Sequence, residues 1–160
     1  MIEYTRLGGQ SAVMLGGRGG WYATPSLVLG AGLYGTATEV DAREADVPDA
    51  PGPLDLKVEK FGLELEYHVR AGSRTDFTIG TFVGGAAAHH VRDRTTEQHG
   101  ETDFLFLVQP VAGIEQTLAS WLRVHIGASF MIGGPVEQVG LRGSDVRGPG
   151  VALALKAGRF

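Results

Sequence analysis

Along most of the chain, apolar and polar residues alternate with a period of two. That is the period of a β-strand, whose successive side chains point to opposite faces. Between Lys60 and Arg70, the residues Phe61, Leu63, Leu65, Tyr67 and Val69 fall in one phase. Lys60, Glu64, Glu66, His68 and Arg70 fall in the other, with Gly62 among them. In 26–36, Leu27, Leu29, Ala31 and Leu33 oppose Val28, Gly30, Gly32 and Tyr34. Phe77, Ile79 and Val83 share a face in 76–83. In 120–132, Leu122, Val124, Ile126, Ala128, Phe130 and Ile132 oppose Arg123, His125, Gly127 and Ser129. The last ten residues set Val151, Leu153 and Leu155 against Ala152, Ala154 and Lys156. With weaker segments near the N-terminus, the pattern predicts eight strands at 2–7, 11–18, 25–37, 54–70, 76–92, 102–115, 118–133 and 149–160.

An even number of strands fits an all-β fold, a closed up-and-down antiparallel barrel whose first and last strands pair. The expected connections alternate in length. Those around 19–24, 71–75 and 116–117 are short, and those at 38–53, 93–101 and 134–148 are long and rich in Gly, Pro and charge. Short turns at one end and long loops at the other is the build of bacterial outer-membrane barrels. This predicts both termini at the short-turn, periplasmic end. The Gly8-Gly9-Gln10 turn departs from the pattern, being short at the long-loop end. No second domain or linker is visible, so 1–160 reads as a single barrel domain.

Alternation alone also suits a soluble sheet with one dry and one wet face. The polar phase argues for a narrow lumen instead. It combines small residues (Gly16, Gly30, Gly32, Gly80, Gly127, Ala152, Ala154) with Arg18, Glu64, Glu66, His68, Arg123, His125 and Lys156. A solvated face has no use for glycine, which weakens strands. A small barrel's interior must offset a few large side chains with small ones. The inward charges also nearly balance, with Glu3, Glu64, Glu66, Asp76 and Glu115 against Arg18, Arg70, Arg123 and Lys156. Buried charges persist only when paired. The reading therefore places a charge network of Arg18, Glu64, Glu66, His68, Arg123, His125 and Lys156 inside. It turns Phe61, Leu63, Leu65, Leu122, Val124, Ile126, Leu153 and Leu155 toward lipid. Trp21, Tyr22, Tyr67, Phe77, Trp121 and Phe160 gather near the short-turn rim, where interface aromatics belong.

Composition narrows the function classes. The chain has 160 residues and a formal net charge of −4 with mixed signs, which argues against a nucleic-acid partner. It has no cysteine, hence neither disulfide nor thiolate metal site. No apolar run approaches the roughly 20 residues of a membrane helix. Met1-Ile2-Glu3-Tyr4 lacks the features of a signal peptide, so an outer-membrane location requires a leader removed upstream.

The alternating last strand ending in an aromatic residue, Val151 to Phe160, resembles the C-terminal assembly signal of outer-membrane barrels. The whole chain resembles a small OmpA-like eight-stranded barrel. Residues 16–21 and 30–35 also resemble uncharacterised bacterial proteins with exported barrel-like domains. The resemblance implies a barrel fold and a Gram-negative cell-envelope location. It implies no particular activity, because such barrels serve as anchors, adhesins and enzymes.

Candidate chemistry is weak. Some small barrels are lipid A deacylases with a His-x-Ser pair, but here Gly127 stands two positions after His125. Ser129, four positions on, would lie roughly 13 Å away along the strand, too far for base and nucleophile. His89 and His90 point to opposite faces, and with His99 read as rim histidines rather than a zinc site. The acidic stretch with Glu39, Asp41, Glu44, Asp46, Asp49 and Asp55 matches no EF-hand spacing and reads as an exposed loop. Residues 16–20 lack the Lys-Ser/Thr of a phosphate loop.

The sequence thus predicts a non-enzymatic outer-membrane barrel with a closed, charge-paired lumen, no catalytic residues, no metal and no cofactor. Its partners would be outer-membrane lipid and other envelope proteins met through the long loops. The alternative is a soluble lipocalin-like barrel binding a small apolar ligand, with Phe61, Leu63, Leu65, Leu122, Val124 and Ile126 lining a pocket. A further alternative is a barrel subunit of a larger envelope assembly.

Overall fold

The computed structural model describes residues 1–7, 9–38, 40, 54–92, 98–134 and 146–160. Eight antiparallel strands follow chain order: β1 (Ile2–Leu7), β2 (Gln10–Thr24), β3 (Leu27–Thr36), β4 (Leu54–His68), β5 (Thr75–Arg92), β6 (Gln98–Ala119), β7 (Leu122–Gly133) and β8 (Gly148–Ala157). Each pairs with its neighbours, and β1 closes on β8, so the sheet is a complete barrel. Closure removes the sheet edges that an open meander would leave.

The expected strands are all present, with shifted limits. β2 runs through Trp21 and Tyr22 to Thr24 rather than ending near 18, so these two aromatics lie in a strand and the turn is Pro25-Ser26. The connection expected at 116–117 is Ser120-Trp121. β6 begins at Gln98, so residues 98–101 are strand and not loop. Glycine was a poor guide to strand ends here because in β2 it sits inside the wall.

Register fixes the two faces. Glu3 pairs with Met14 and Ala152, Tyr34 with Gly16 and Lys60, Glu66 with Val28 and Gly80, and Glu115 with Asp76 and His125. These residues point inward. The opposite phase carries large apolar side chains to the surface: Leu63 and Leu155 are each 71 % exposed and Phe104 is 70 % exposed. Glycine makes room where large inward groups lie flat. A Cβ on Gly16 would fall 2.2 Å from the Tyr34 ring, and one on Gly113 would fall 2.4 Å from Nε2 of His125.

Candidate functional site

The interior is filled in tiers. Toward the long-loop end, Leu7, Met14, Val58, Leu105, Leu107, Met131 and Val146 form a buried apolar plug with Val40. Leu105 and Leu107 reach it from a β6 segment that is apolar on both faces, so the inward phase could not be told from sequence there.

Beneath the plug lies a compact polar knot. Lys60 Nζ donates to Glu3 Oε2 and to Gln109 Oε1, each at 2.6 Å. Gln109 Nε2 donates to Glu3 and, at 2.8 Å, to Ser129 Oγ. The Lys60 ammonium also stands 4.7 Å from the Tyr34 ring centroid and 5.5 Å from that of Phe82. Lys60, in phase with Glu64 and Glu66, carried a visible signal as an inward residue. Gln109, Tyr34 and Phe82 carried little, because neutral and aromatic side chains suit either face.

The lower tier holds the charge network. Arg18 bridges Glu64 (2.9 Å) and Glu66 (3.1 Å), and Tyr34 Oη donates to Glu64. Lys156 Nζ donates to Glu66 at 2.5 Å and also to Glu115. Arg123 Nη1 donates to Glu115 at 2.8 Å and to Tyr22 Oη at 3.1 Å. His68 Nδ1 lies 2.8 Å from Asp76 Oδ2. His125 Nε2 lies 3.1 Å from Thr78 Oγ1. Strands β2, β4, β6, β7 and β8 thus each contribute a charge that the others neutralise.

Among the described residues, Glu66, His68 and Glu115 bring ligand-type atoms within 4.8 Å of one another. The Lys156 ammonium already sits on both carboxylates and supplies the positive charge a cation would. Nothing in this donor set resembles a nucleophile aligned with a base.

On the outside, Phe61, Leu63, Leu65, Ile126, Leu153 and Leu155 are exposed, while Leu122 and Val124 lie in the same outward phase and are half-buried. The lipocalin-like arrangement, which needs these residues around a pocket, is not what the chain adopts. Trp21, Tyr67, Phe77 and Trp121 are exposed near the short-turn end. Tyr22 instead points inward, where it bonds Arg123 and lies 5.6 Å from the His68 ring, because it shares the phase of Arg18. Phe160, past the end of β8, has the Arg123 guanidinium 4.2 Å from its ring centroid and so lies by the mouth. Arg70 is not inward: it lies in the β4–β5 turn, 6.0 Å from the Phe77 ring centroid.

A second aromatic set, Tyr4, Phe104, Phe106 and Phe130, is exposed nearer the long-loop end. Phe104 and Ile114 are ten residues apart on β6, and Ile114 pairs with Phe77. At about 3.3 Å per residue and a tilt of about 40°, this separates the two levels by about 25 Å. Most of the loop segments lie outside the described residues, including Glu39, Asp41, Glu44, Asp46 and Asp49. So do the side chains of Asp55, His89, His90 and His99, although His90 and His99 are cross-strand partners in the backbone.

No protein-family model matches the chain, and no curated protein matches it. Among solved structures, the crystal structure of Neisserial surface protein A is similar, with a TM-score of 0.73 at 12 % identity. The match covers 98 % of this chain and 91 % of that one. At that identity the likeness speaks for the fold, the closed eight-stranded barrel expected from the OmpA-like resemblance.

Proposed function

We propose that this chain is a non-enzymatic outer-membrane β-barrel. Its outer face contacts lipid, its charge-paired lumen is closed to large solutes, and it serves in envelope structure or in recognition through the long connections between β3 and β4, β5 and β6, and β7 and β8. One observation carries the reading: large apolar side chains are exposed all around a closed barrel whose charges pair inside. Among the described residues, twenty-five large hydrophobic side chains are exposed. Soluble monomers rarely expose a contiguous apolar patch beyond about 300–600 Å². In a bilayer the same belt is solvated by acyl chains, and its height of about 25 Å suits the apolar band of such barrels. Aromatics at both levels are placed as interface anchors are. The similar fold of a protein whose name describes it as a surface protein supports the same location.

The lumen supports a closed role. The plug, the Lys60 knot and the charge network succeed one another along the axis, and none offers an aligned catalytic pair. Membrane fractionation tests the location. The full chain is expected with the outer membrane, released only by detergent. A chain that stays monomeric and soluble without detergent would refute the reading.

A further inference from the structure

Charge is segregated between the two ends of the barrel. Glu3, Glu64, Glu66, Asp76 and Glu115 face the lumen. The remaining Asp and Glu residues fall, by chain position, in or beside the connections β3–β4, β5–β6 and β7–β8. At the short-turn end, no Asp or Glu side chain is exposed among the described residues. That end instead exposes Arg70, Arg74 and Arg159. Among the described residues, none of these three guanidiniums has a carboxylate partner.

The fold gathers the three arginines on one arc of the rim. Arg70 and Arg74 flank the β4–β5 turn. Ser73 N–H donates to Arg70 O at 3.0 Å, and Gly72 has a φ of 86°, as the third residue of a type II turn requires. Arg70 N–H donates to Asp76 Oδ1 at 2.7 Å, and Thr117 N–H on β6 donates to Arg74 O at 2.8 Å. The next turn along the rim is Ser120-Trp121. Its Trp121 O accepts from Gly158 N–H at 3.0 Å, which sets Arg159 beside it. The order around the rim is therefore Arg70 and Arg74, then Trp121, then Arg159.

This arc borders the apolar belt directly. Arg70 lies three residues past Tyr67 and Arg74 three before Phe77, both exposed, with Leu118 and Trp121 exposed alongside. Three strand residues at a tilt of about 40° advance about 7–8 Å along the axis. The guanidiniums thus stand just outside the level of the interface aromatics. In a bilayer, lipid phosphates lie at that height.

We infer that the Arg70–Arg74–Arg159 arc binds the phosphate headgroups of anionic phospholipids in the leaflet at the short-turn end. A guanidinium stays charged and meets phosphate oxygens through two parallel N–H groups. A zwitterionic headgroup carries its own ammonium beside the phosphate. The arc exposes no carboxylate to receive that ammonium, so it favours a lipid of net negative charge. The occupant is a lipid and not a soluble anion, because the acyl chains of the same molecule pack on Phe77, Leu118 and Trp121 next to the arginines. Each basic side chain held near an anionic lipid surface strengthens the attraction by about fivefold.

This inference rests on the membrane reading, and its test is separable from it. The two tryptophans, Trp21 and Trp121, are both exposed at this end and report on the lipids there. The full chain is reconstituted in phosphatidylcholine vesicles. Phosphatidylglycerol with brominated acyl chains is then exchanged in, with brominated phosphatidylcholine as the reference, and tryptophan quenching gives their relative affinity. A preference of about fivefold for the anionic lipid is expected at low salt, falling toward parity at about 1 M salt. The triple variant Arg70→Gln, Arg74→Gln, Arg159→Gln should also fall to parity, while the corresponding triple Lys variant should keep most of the preference. Arg6→Gln with Lys57→Gln, both exposed toward the other end, should leave it unchanged. Equal quenching by the two lipids in the unaltered chain would overturn the inference. So would a preference that survives the triple Gln variant, or one that excess inorganic phosphate abolishes, which would assign the arc to a soluble anion. A chain that fails to enter the vesicles fails the membrane reading, whereas one that enters without a preference fails this inference alone.

Discussion

Lys60 keeps its ammonium at 2 % side-chain exposure, facing Glu3 at 1 %. Desolvating both ions is repaid only by their contact and by the Gln109 and Ser129 bonds around them. Lys60→Ala strands the Glu3 carboxylate, and a loss of about 3–5 kcal/mol is expected. Urea unfolding in lipid vesicles, followed by tryptophan fluorescence, measures it. The double variant Lys60→Met with Glu3→Gln should recover most of that loss, because no unpaired charge remains. A single variant costing under about 1 kcal/mol would mean that water reaches the pair. Gly16 offers a second test at this scale. Gly16→Val puts carbon into the Tyr34 ring, detaching its hydroxyl from Glu64, and should cost about 1–3 kcal/mol. The same unfolding curves would show it, and a neutral result would mean that Tyr34 has another place to lie.

At the scale of the strand, each element carries an exposed apolar face and an inward face that, outside the apolar plug, is small, polar or charged. β4 shows this most clearly: Leu63 is 71 % exposed while Lys60, three residues before it on the opposite face, is 1 % exposed. An exposed position in a soluble protein tolerates substitution to within about ±0.5 kcal/mol. At the midplane of a bilayer, an arginine costs about 2–4 kcal/mol. Leu63→Arg is therefore expected to lose about 2–4 kcal/mol in vesicles, whereas Lys57→Arg, exposed near the long-loop end of the same strand, should be silent. Equal and negligible effects at both sites would exclude lipid from that face. The pairing limits matter too. β2 keeps its ladder to β3 from Met14 through Gly20 and on to Thr24, despite four glycines in Gly16-Gly17-Arg18-Gly19-Gly20. Its stability there comes from the neighbouring strand and the Arg18 ion pairs, not from local propensity.

For the whole barrel, the proposed closed lumen rests on the apolar plug, the Lys60 knot and the charge network together, so no single layer should control passage. In a planar bilayer the chain should give a flat trace with no large steady channels. Leu107→Ala with Met131→Ala opens space in the plug, yet the Lys60 knot still blocks the axis, so the trace should stay flat. Adding Lys60→Ala should also leave it flat while the charge network stands below, and removing Arg18 and Lys156 as well should produce brief, small openings. Steady large conductance in the unaltered chain would contradict the closed-lumen reading. The polar tiers also account for why a barrel with so few residues can hold several ionised groups: the described inward carboxylates Glu3, Glu64, Glu66, Asp76 and Glu115 meet Arg18, Lys60, Arg123, Lys156 and the ring of His68.

Period-two alternation is a local property, and it determined the strand count and the faces of β3, β4, β7 and β8, while the small and charged residues of the inward phase added the barrel class. It worked wherever one phase was charged, as between Lys60 and His68, because a charge has only one tolerable side. It failed where both phases suited either side. Leu105 and Leu107 could not be separated from Phe104 and Phe106, and Tyr22 could not be assigned inward, until register tied each residue to a neighbour of known direction. Strand ends in the glycine-rich β2 were likewise illegible, since glycine marks a turn locally but Gly16 here makes room for Tyr34. The partners of each charge and the apolar plug were decided only by tertiary structure. They depend on which residues, distant in sequence, come to the same height in the barrel, and that height is set by shear around the closed sheet rather than by any one strand.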